Sequence, residues 1–264
     1  MLKSLIITIL FVFLIALLMI YYGQRNLIYF PAKEQPERHA YQAGDMQQIT
    51  LHTVDGLRLN AWYKPAASGQ PTLLFLHGNA GHIGYRMPLV RQFLASGLGV
   101  LLLEYRGFGG NHGQPTEQGL YQDGRAAVQF LLNQGVKPSQ LIFYGESLGT
   151  GVATQLATEF PICALILQSP YTSMSAVARF HYPWLLISPW DKYDSLARIQ
   201  TIHVPLLILH GEQDRIIPYA QGLILFEQAN QPKHLVSIAD RGHNDLWSPY
   251  FTQEVKSFIR TNCH

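Results

Sequence analysis

Leu141-Ile142-Phe143-Tyr144-Gly145-Glu146-Ser147-Leu148-Gly149-Thr150-Gly151-Val152-Ala153-Thr154-Gln155-Leu156-Ala157 is the stretch that decides the fold of this 264-residue chain. Four apolar residues read as a buried strand, no turn residue interrupts them before Gly145, and a helical pattern leaves after Gly149. Between them stands G-x-S-x-G, with glycines two residues before and two after Ser147. A serine placed on a sharp strand-to-helix turn projects its hydroxyl above the sheet, and the flanking glycines let neighbouring backbone approach closely. The N–H of Leu148, opening the helix, then faces any negative charge that develops beside the serine. The rival reading is a Gly-Ser turn that merely caps a helix.

Working outward, short apolar runs recur at Thr72 to Leu76, Val100 to Leu103, Ala164 to Leu167 and Leu206 to Leu209. Each ends in Gly, Ser, Pro or a polar turn, and amphipathic stretches such as Gly119 to Asn133 lie between them. Fully apolar strands alternating with helices indicate a mostly parallel sheet covered on both faces. Ahead of them, Ile49 to Thr53 and Leu57 to Tyr63 flank Asp55-Gly56 and read as an antiparallel hairpin.

A serine hydroxyl is a weak nucleophile without a base, and the base needs an orienting acid. The chain order expected for this turn is serine, acid, histidine. His243 lies in Asp240-Arg241-Gly242-His243-Asn244, after the strand-like Leu235 to Ile238, at the sheet end where ligands bind. His210 closes an apolar strand and reads as a packing residue; His203 and His234 read as surface positions. Asp214 follows the strand ending at Leu209 and precedes Pro218, a helix-starting residue, with Glu212 as its nearest rival. Asp191 and Asp194 sit in a segment without strand character, and Asp240 is too near His243 in sequence. The loop Leu76-His77-Gly78-Asn79-Ala80-Gly81-His82 is the expected source of a second oxyanion donor, the Asn79 N–H, beside that of Leu148.

Taken together, His77-Gly78-Asn79-Ala80-Gly81, Glu104-Tyr105-Arg106-Gly107-Phe108-Gly109, Gly145-Glu146-Ser147-Leu148-Gly149, His210-Gly211-Glu212-Gln213-Asp214 and Gly242-His243 carry a resemblance. In this order the chain resembles the alpha/beta-hydrolase fold serine hydrolases, particularly a membrane-anchored branch with lysophospholipase-like, monoacylglycerol-lipase-like and acyl-protein-depalmitoylase-like members. Some members carry serine-peptidase labels. The resemblance implies a triad of Ser147, Asp214 and His243, with the Asn79 and Leu148 amides as oxyanion donors. It implies cleavage of a carboxylic ester or thioester, with amide hydrolysis by a serine peptidase as the alternative and a nonhydrolytic adaptor as a remote one. Glu104 stands where related enzymes often have Asp, and His82 where the loop often continues with Asn. The segment around 171–200 is where such a fold inserts a cap. Its residues Tyr171, His181 and Trp184, with His82, are candidates for a pocket.

Composition narrows the remaining classes. A net charge of +2 without a basic run excludes a nucleic-acid partner. Two cysteines, Cys163 and Cys263, make neither a disulfide framework nor a metal-ligand pattern, and no cofactor or metal site is expected. From Leu5 to Tyr22 only Thr8 is polar, a run long enough to span a bilayer. It reads as a single-pass signal anchor, with a cleaved signal peptide as the alternative. Lys3 precedes it and Arg25, Lys33 and Arg38 follow, a near tie that leaves the side of the membrane open. The expected organisation is an anchor over 1–23, a linker over 24–44 and one hydrolase domain over 45–264. Its expected partners are an acyl or lipid substrate and, through residues 5–22, the membrane.

Overall fold

The computed structural model describes residues 2–184 and 187–263. Leu185 and Leu186, part of the expected cap, lie outside the described residues. Eight strands form the main sheet: β1 Gln47–His52, β2 Arg58–Lys64, β3 Thr72–Leu76, β4 Gly99–Leu103, β5 Leu141–Glu146, β6 Ala164–Gln168, β7 Leu206–Gly211 and β8 Lys233–Ile238. Their spatial order is β1-β2-β4-β3-β5-β6-β7-β8, with β1–β2 and β2–β4 antiparallel and every other pairing parallel. The order reverses between β3 and β4, so the C-terminal ends of β3 and β5 lie side by side and open a crevice there.

The apolar runs fill two cores because side chains alternate along a strand. Leu73 and Phe75 of β3 face one core with Val90 and Phe93 of α2 (Met87–Leu94) and Val255 of α8 (Pro249–Asn262). Leu74 and Leu76 face the other, with Leu131 of α3 (Glu117–Asn133), Val152 of α4 (Leu148–Ala157) and Leu225 of α7 (Tyr219–Gln228). Helix starts carry legible caps. The Thr116 hydroxyl accepts from the Gly119 N–H at α3, and the Ser248 hydroxyl accepts from Phe251 N–H at α8, which has Pro249 in its first turn.

Helix α1 covers Leu2–Gly23 and buries no residue on the domain. It is the one helix among the described residues long and apolar enough to cross a membrane. The first part of the expected linker, residues 24–31, packs on the domain. Gln24, Ile28 and Tyr29 are buried, and Phe30–Pro31 pairs in parallel with Ala80–Gly81 in the loop after β3. Two short helices, α5 (Met174–His181) and α6 (Ser195–Ile199), occupy the expected cap region. The two cysteines, given no role from sequence, form a disulfide with Cα atoms 5.7 Å apart, joining the start of β6 to the C-terminus.

Candidate active site

The turn between β5 and α4 holds Ser147 at φ +51° and ψ −117°, a backbone state that a non-glycine residue adopts at a cost of about 1–3 kcal/mol. Hydrogen bonds over-determine it. The Ser147 N–H donates to the Gln168 carbonyl at 2.9 Å, and the Thr150 hydroxyl donates to the Ser147 carbonyl at 2.6 Å. A Cβ on Gly149 would collide with the Leu76 carbonyl oxygen, so no larger residue allows this close crossing of α4 over β3. The glycine two residues after the serine is therefore a packing requirement of the turn.

Ser147 meets His243 and Asp214 above the sheet. The His243 Nδ1–H donates to Asp214 Oδ2 at 2.7 Å, and Nε2 accepts from the Ser147 hydroxyl at 2.9 Å. The two loops that carry Asp214 and His243 are pinned together by the Gln213 N–H, which donates to the Arg241 carbonyl at 3.0 Å. Asp214 Oδ1 accepts from the N–H groups of Ile216 and Ile217, each at 2.8 Å. Burial works to raise the Asp214 pKa, but hydrogen bonds from His210 and His243 outweigh it and hold the carboxyl well below the usual range. Glu212, the rival acid, is exposed.

His210, read from the sequence as a packing residue, also faces Asp214. Its ring is fully buried, with Nε2 2.9 Å from the Ile217 carbonyl, to which it donates, and 3.3 Å from Asp214 Oδ2. Among the described residues its Nδ1 has no partner. An Nε2–H tautomer therefore fits the site, whereas a second N–H on Nδ1 would be buried without an acceptor.

The loop after β3 runs beside the serine. The Asn79 side chain donates to the Ile28 carbonyl at 2.9 Å, and the Asn79 carbonyl accepts from Phe30 N–H at 2.8 Å. Both polar groups are thus committed to the 24–44 segment, while the Asn79 N–H has no acceptor among the described residues. Asn79, Ser147 and Leu148 line the same cavity. His77 braces this loop, donating from Nδ1 to the Gly78 carbonyl at 2.7 Å and placing Nε2 3.2 Å from Glu104 Oε1. The other Glu104 oxygen accepts from the Ile83 N–H, so the longer acid in place of Asp bridges β4 and this loop.

Two cavities flank the triad. One, about 290 Å³, is walled by apolar side chains of the cap and of residues 20–30, with Tyr171 and His181 among its lining. The other, about 280 Å³, lies on the His243 side and includes Tyr85, Arg86, Glu146, Gln168 and Trp247. Arg86 makes a two-pronged contact with Glu146 at 2.9 and 3.1 Å. Burial opposes ionisation of Glu146, but the Arg86 charge overcomes it and lowers the pKa. Two candidates for the pocket lie elsewhere. His82 is buried, accepts from the Gly84 N–H at its own turn and stacks on Tyr85, and it lines neither cavity. Trp184 is 63% exposed at the cap surface. Sequence reasoning missed Arg86 and Trp247, which follow site loops without a motif of their own, and the residues 20–30, which reach the site from a remote part of the chain.

Residues 68–190 match the family model described as serine aminopeptidase, S33, and residues 171–250 match the model for the alpha/beta hydrolase fold. A Mycobacterium tuberculosis protein, Rv2307c, is 41% identical over 234 residues, covering 87% of this chain and 83% of its own. The lysophosphatidylserine lipase ABHD12 of Danio rerio is 34% identical over 212 residues, covering 72% of this chain and 54% of that protein. A Pyrococcus furiosus esterase superposes with a TM-score of 0.74 at 21% identity, covering 90% of this chain and 99% of that structure.

Proposed function

This chain belongs to the alpha/beta-hydrolase family, in the branch of bem46 of Schizosaccharomyces pombe, to which it is 31% identical over 271 residues covering 94% of this chain and 90% of that protein, and on that premise we propose that it is a membrane-anchored serine hydrolase of acyl esters. The observation that carries the reading is the relay from Asp214 through His243 to Ser147, at 2.7 and 2.9 Å, on a turn strained to expose the hydroxyl.

The reaction follows from that geometry. Ser147 Oγ attacks the acyl carbon while its proton passes to His243 Nε2, and Asp214 stabilises the resulting imidazolium. The Asn79 and Leu148 N–H groups donate to the oxyanion, and loss of one such donor costs about 10²–10³ in rate. Collapse expels the alcohol, which takes the proton from His243. Water then gives a proton to His243, attacks the acyl-enzyme, and releases the carboxylic acid and free Ser147. The apolar cavity suits the acyl half, and the cavity on the His243 side, the more polar of the two with Arg86 and Glu146 in its lining, suits the leaving group.

The serine aminopeptidase match favours a second reading, amide cleavage next to a free amine. Such an amine needs a carboxylate to receive it. Among the described residues, the only acid lining either cavity is Glu146, already paired with Arg86, which supports the ester. The test has two parts. A fluorophosphonate probe is expected to label the protein and to fail on Ser147→Ala. Purified protein is expected to favour p-nitrophenyl esters over aminoacyl-naphthylamides. An unlabelled protein overturns the mechanism, and a preference for the amides overturns the substrate assignment.

A further inference from the structure

The apolar cavity does not end inside the domain. Its wall beyond Ser147 is built by the chain that leaves the anchor: Ile20, Gln24, Leu27, Ile28 and Phe30 line it opposite Val177 of the cap. Ile20 belongs to α1 itself, three residues before the helix end at Gly23, about 4.5 Å along the axis at 1.5 Å per residue. A cavity that starts at a serine nucleophile and ends on the last turn of a membrane-crossing helix reaches the depth where headgroups meet acyl chains.

This wall is fixed, not tethered loosely. Asp191, 4% exposed, accepts from Arg25 Nε at 3.0 Å, from the Tyr29 hydroxyl at 3.1 Å and from the Glu117 N–H at 3.1 Å. The Gln24 side-chain oxygen accepts from the Trp190 N–H at 2.6 Å. An anchor needed only for localisation has no use for a buried carboxylate that clamps its exit to the cap. The cap surface on the same side exposes Phe180, Tyr182, Trp184 and Trp190, and Trp190 packs edge-on against Tyr21 of α1. Exposed aromatic residues beside the end of a spanning helix are the composition of a membrane interface. Trp184, which lies outside the pocket, has a place in that surface.

We propose that the end of the anchor is part of the acyl-binding site, so that the enzyme takes the acyl chain of a membrane-resident ester directly from the bilayer. The proposal rests on the serine-hydrolase reading and specifies its substrate: a lipid ester whose chain lies along residues 20–30 while its polar alcohol faces Tyr85, Arg86 and Trp247. The bilayer is the source, because the far wall of the cavity carries Ile20, on the last turn of the helix that this reading places in the membrane.

The test uses the full chain in lipid vesicles and a fluorophosphonate bearing a palmitoyl-length chain with a diazirine at its tip. After the probe bonds to Ser147, illumination is expected to crosslink the tip to the peptide containing residues 17–30. Adducts confined to the Tyr85 or Trp247 peptides overturn the proposal. A probe that never bonds Ser147 overturns the underlying hydrolase reading instead, which separates the two failures. In parallel, Ile20→Trp, which adds bulk to the wall, is expected to lower the ratio of kcat/KM for palmitoyl over acetyl p-nitrophenyl ester by about tenfold, the effect of roughly 1.4 kcal/mol. Leu10→Trp, farther from the domain on the same helix, is the control and is expected to keep the wild-type ratio. A ratio unchanged by Ile20→Trp, or lowered equally by Leu10→Trp, counts against the anchor as acyl wall.

Discussion

Replacing His210 by Phe tests whether a second imidazole tunes the triad. In the structure Asp214 Oδ2 is shared: His243 Nδ1 stands at 2.7 Å and His210 Nε2 at 3.3 Å. A hydrogen bond to a charged group contributes about 1.5–3 kcal/mol, and the longer distance, with the proton also directed at Ile217, places this one near the lower end. Since about 1.4 kcal/mol is a factor of ten, His210→Phe is expected to lower kcat for an ester substrate about tenfold. KM is expected to stay within about twofold, because His210 acts through Asp214 and touches neither cavity. The pH profile carries a second signature. Burial raises the Asp214 pKa and the two histidines lower it, so loss of His210 lets it rise. A carboxyl with a depressed folded pKa contributes stability that is present above its unfolded pKa and is lost as pH falls through the folded one. The variant is therefore expected to lose thermal stability at a higher pH than the wild type on the acid side. Gly222→Ala gives an independent perturbation, because a Cβ there would collide with His210 Nδ1 and displace the ring. His210→Gln, which keeps an N–H donor, is expected to recover part of the rate. A His210→Phe enzyme with reduced Tm but wild-type kcat and acid limb would refute the reasoning and leave His210 as packing alone.

Two further outcomes follow from the backbone. Cys163→Ser opens a link between residues 100 apart in sequence, and a loop of that length is expected to cost about 2–5 kcal/mol of stability. A matching drop in the wild-type Tm on adding reductant checks it, and an insensitive Tm opposes it. Ser147→Gly removes the nucleophile and relieves the positive φ of +51°, so it is expected to abolish activity while raising stability by about 1 kcal/mol, read as a higher denaturant midpoint.

What could be read from the sequence and what could not divide by the range of the interactions. The strand, turn and helix around Ser147 are contiguous, and their residue types answer to local sterics: the glycines at 145 and 149 permit the crossing, and Leu148 begins the helix. Asp214 and His243 were legible because both follow apolar strands at the same end of the sheet, although the 2.7 Å contact joins residues 29 apart. The contact of His210 with Asp214 was not legible, because a buried strand-end histidine looks the same in sequence whether it meets packing or a carboxylate.

The segment 24–44 shows the limit most clearly. Its polar composition reads as a linker, yet Arg25 and Asp191, 166 residues apart in sequence, form an ion pair that neither local pattern announces. A charged residue after an apolar helix is equally consistent with a bilayer-facing flank and with a docked clamp. Only burial distinguishes them, and Asp191 is buried while Arg25 remains partly open. A buried carboxylate facing a half-exposed arginine makes little net stability by itself, because desolvation offsets most of the attraction. What it does supply is position. Tyr29, Gln24 and Glu117 are bound to the same cluster, so the chain leaving α1 has one defined route across the loop after β3, where Phe30 N–H bonds the Asn79 carbonyl. On the proposed mechanism, the element that holds the protein in the bilayer is thereby the element that orients an oxyanion donor and walls the acyl cavity, which couples membrane insertion to the geometry of the reaction.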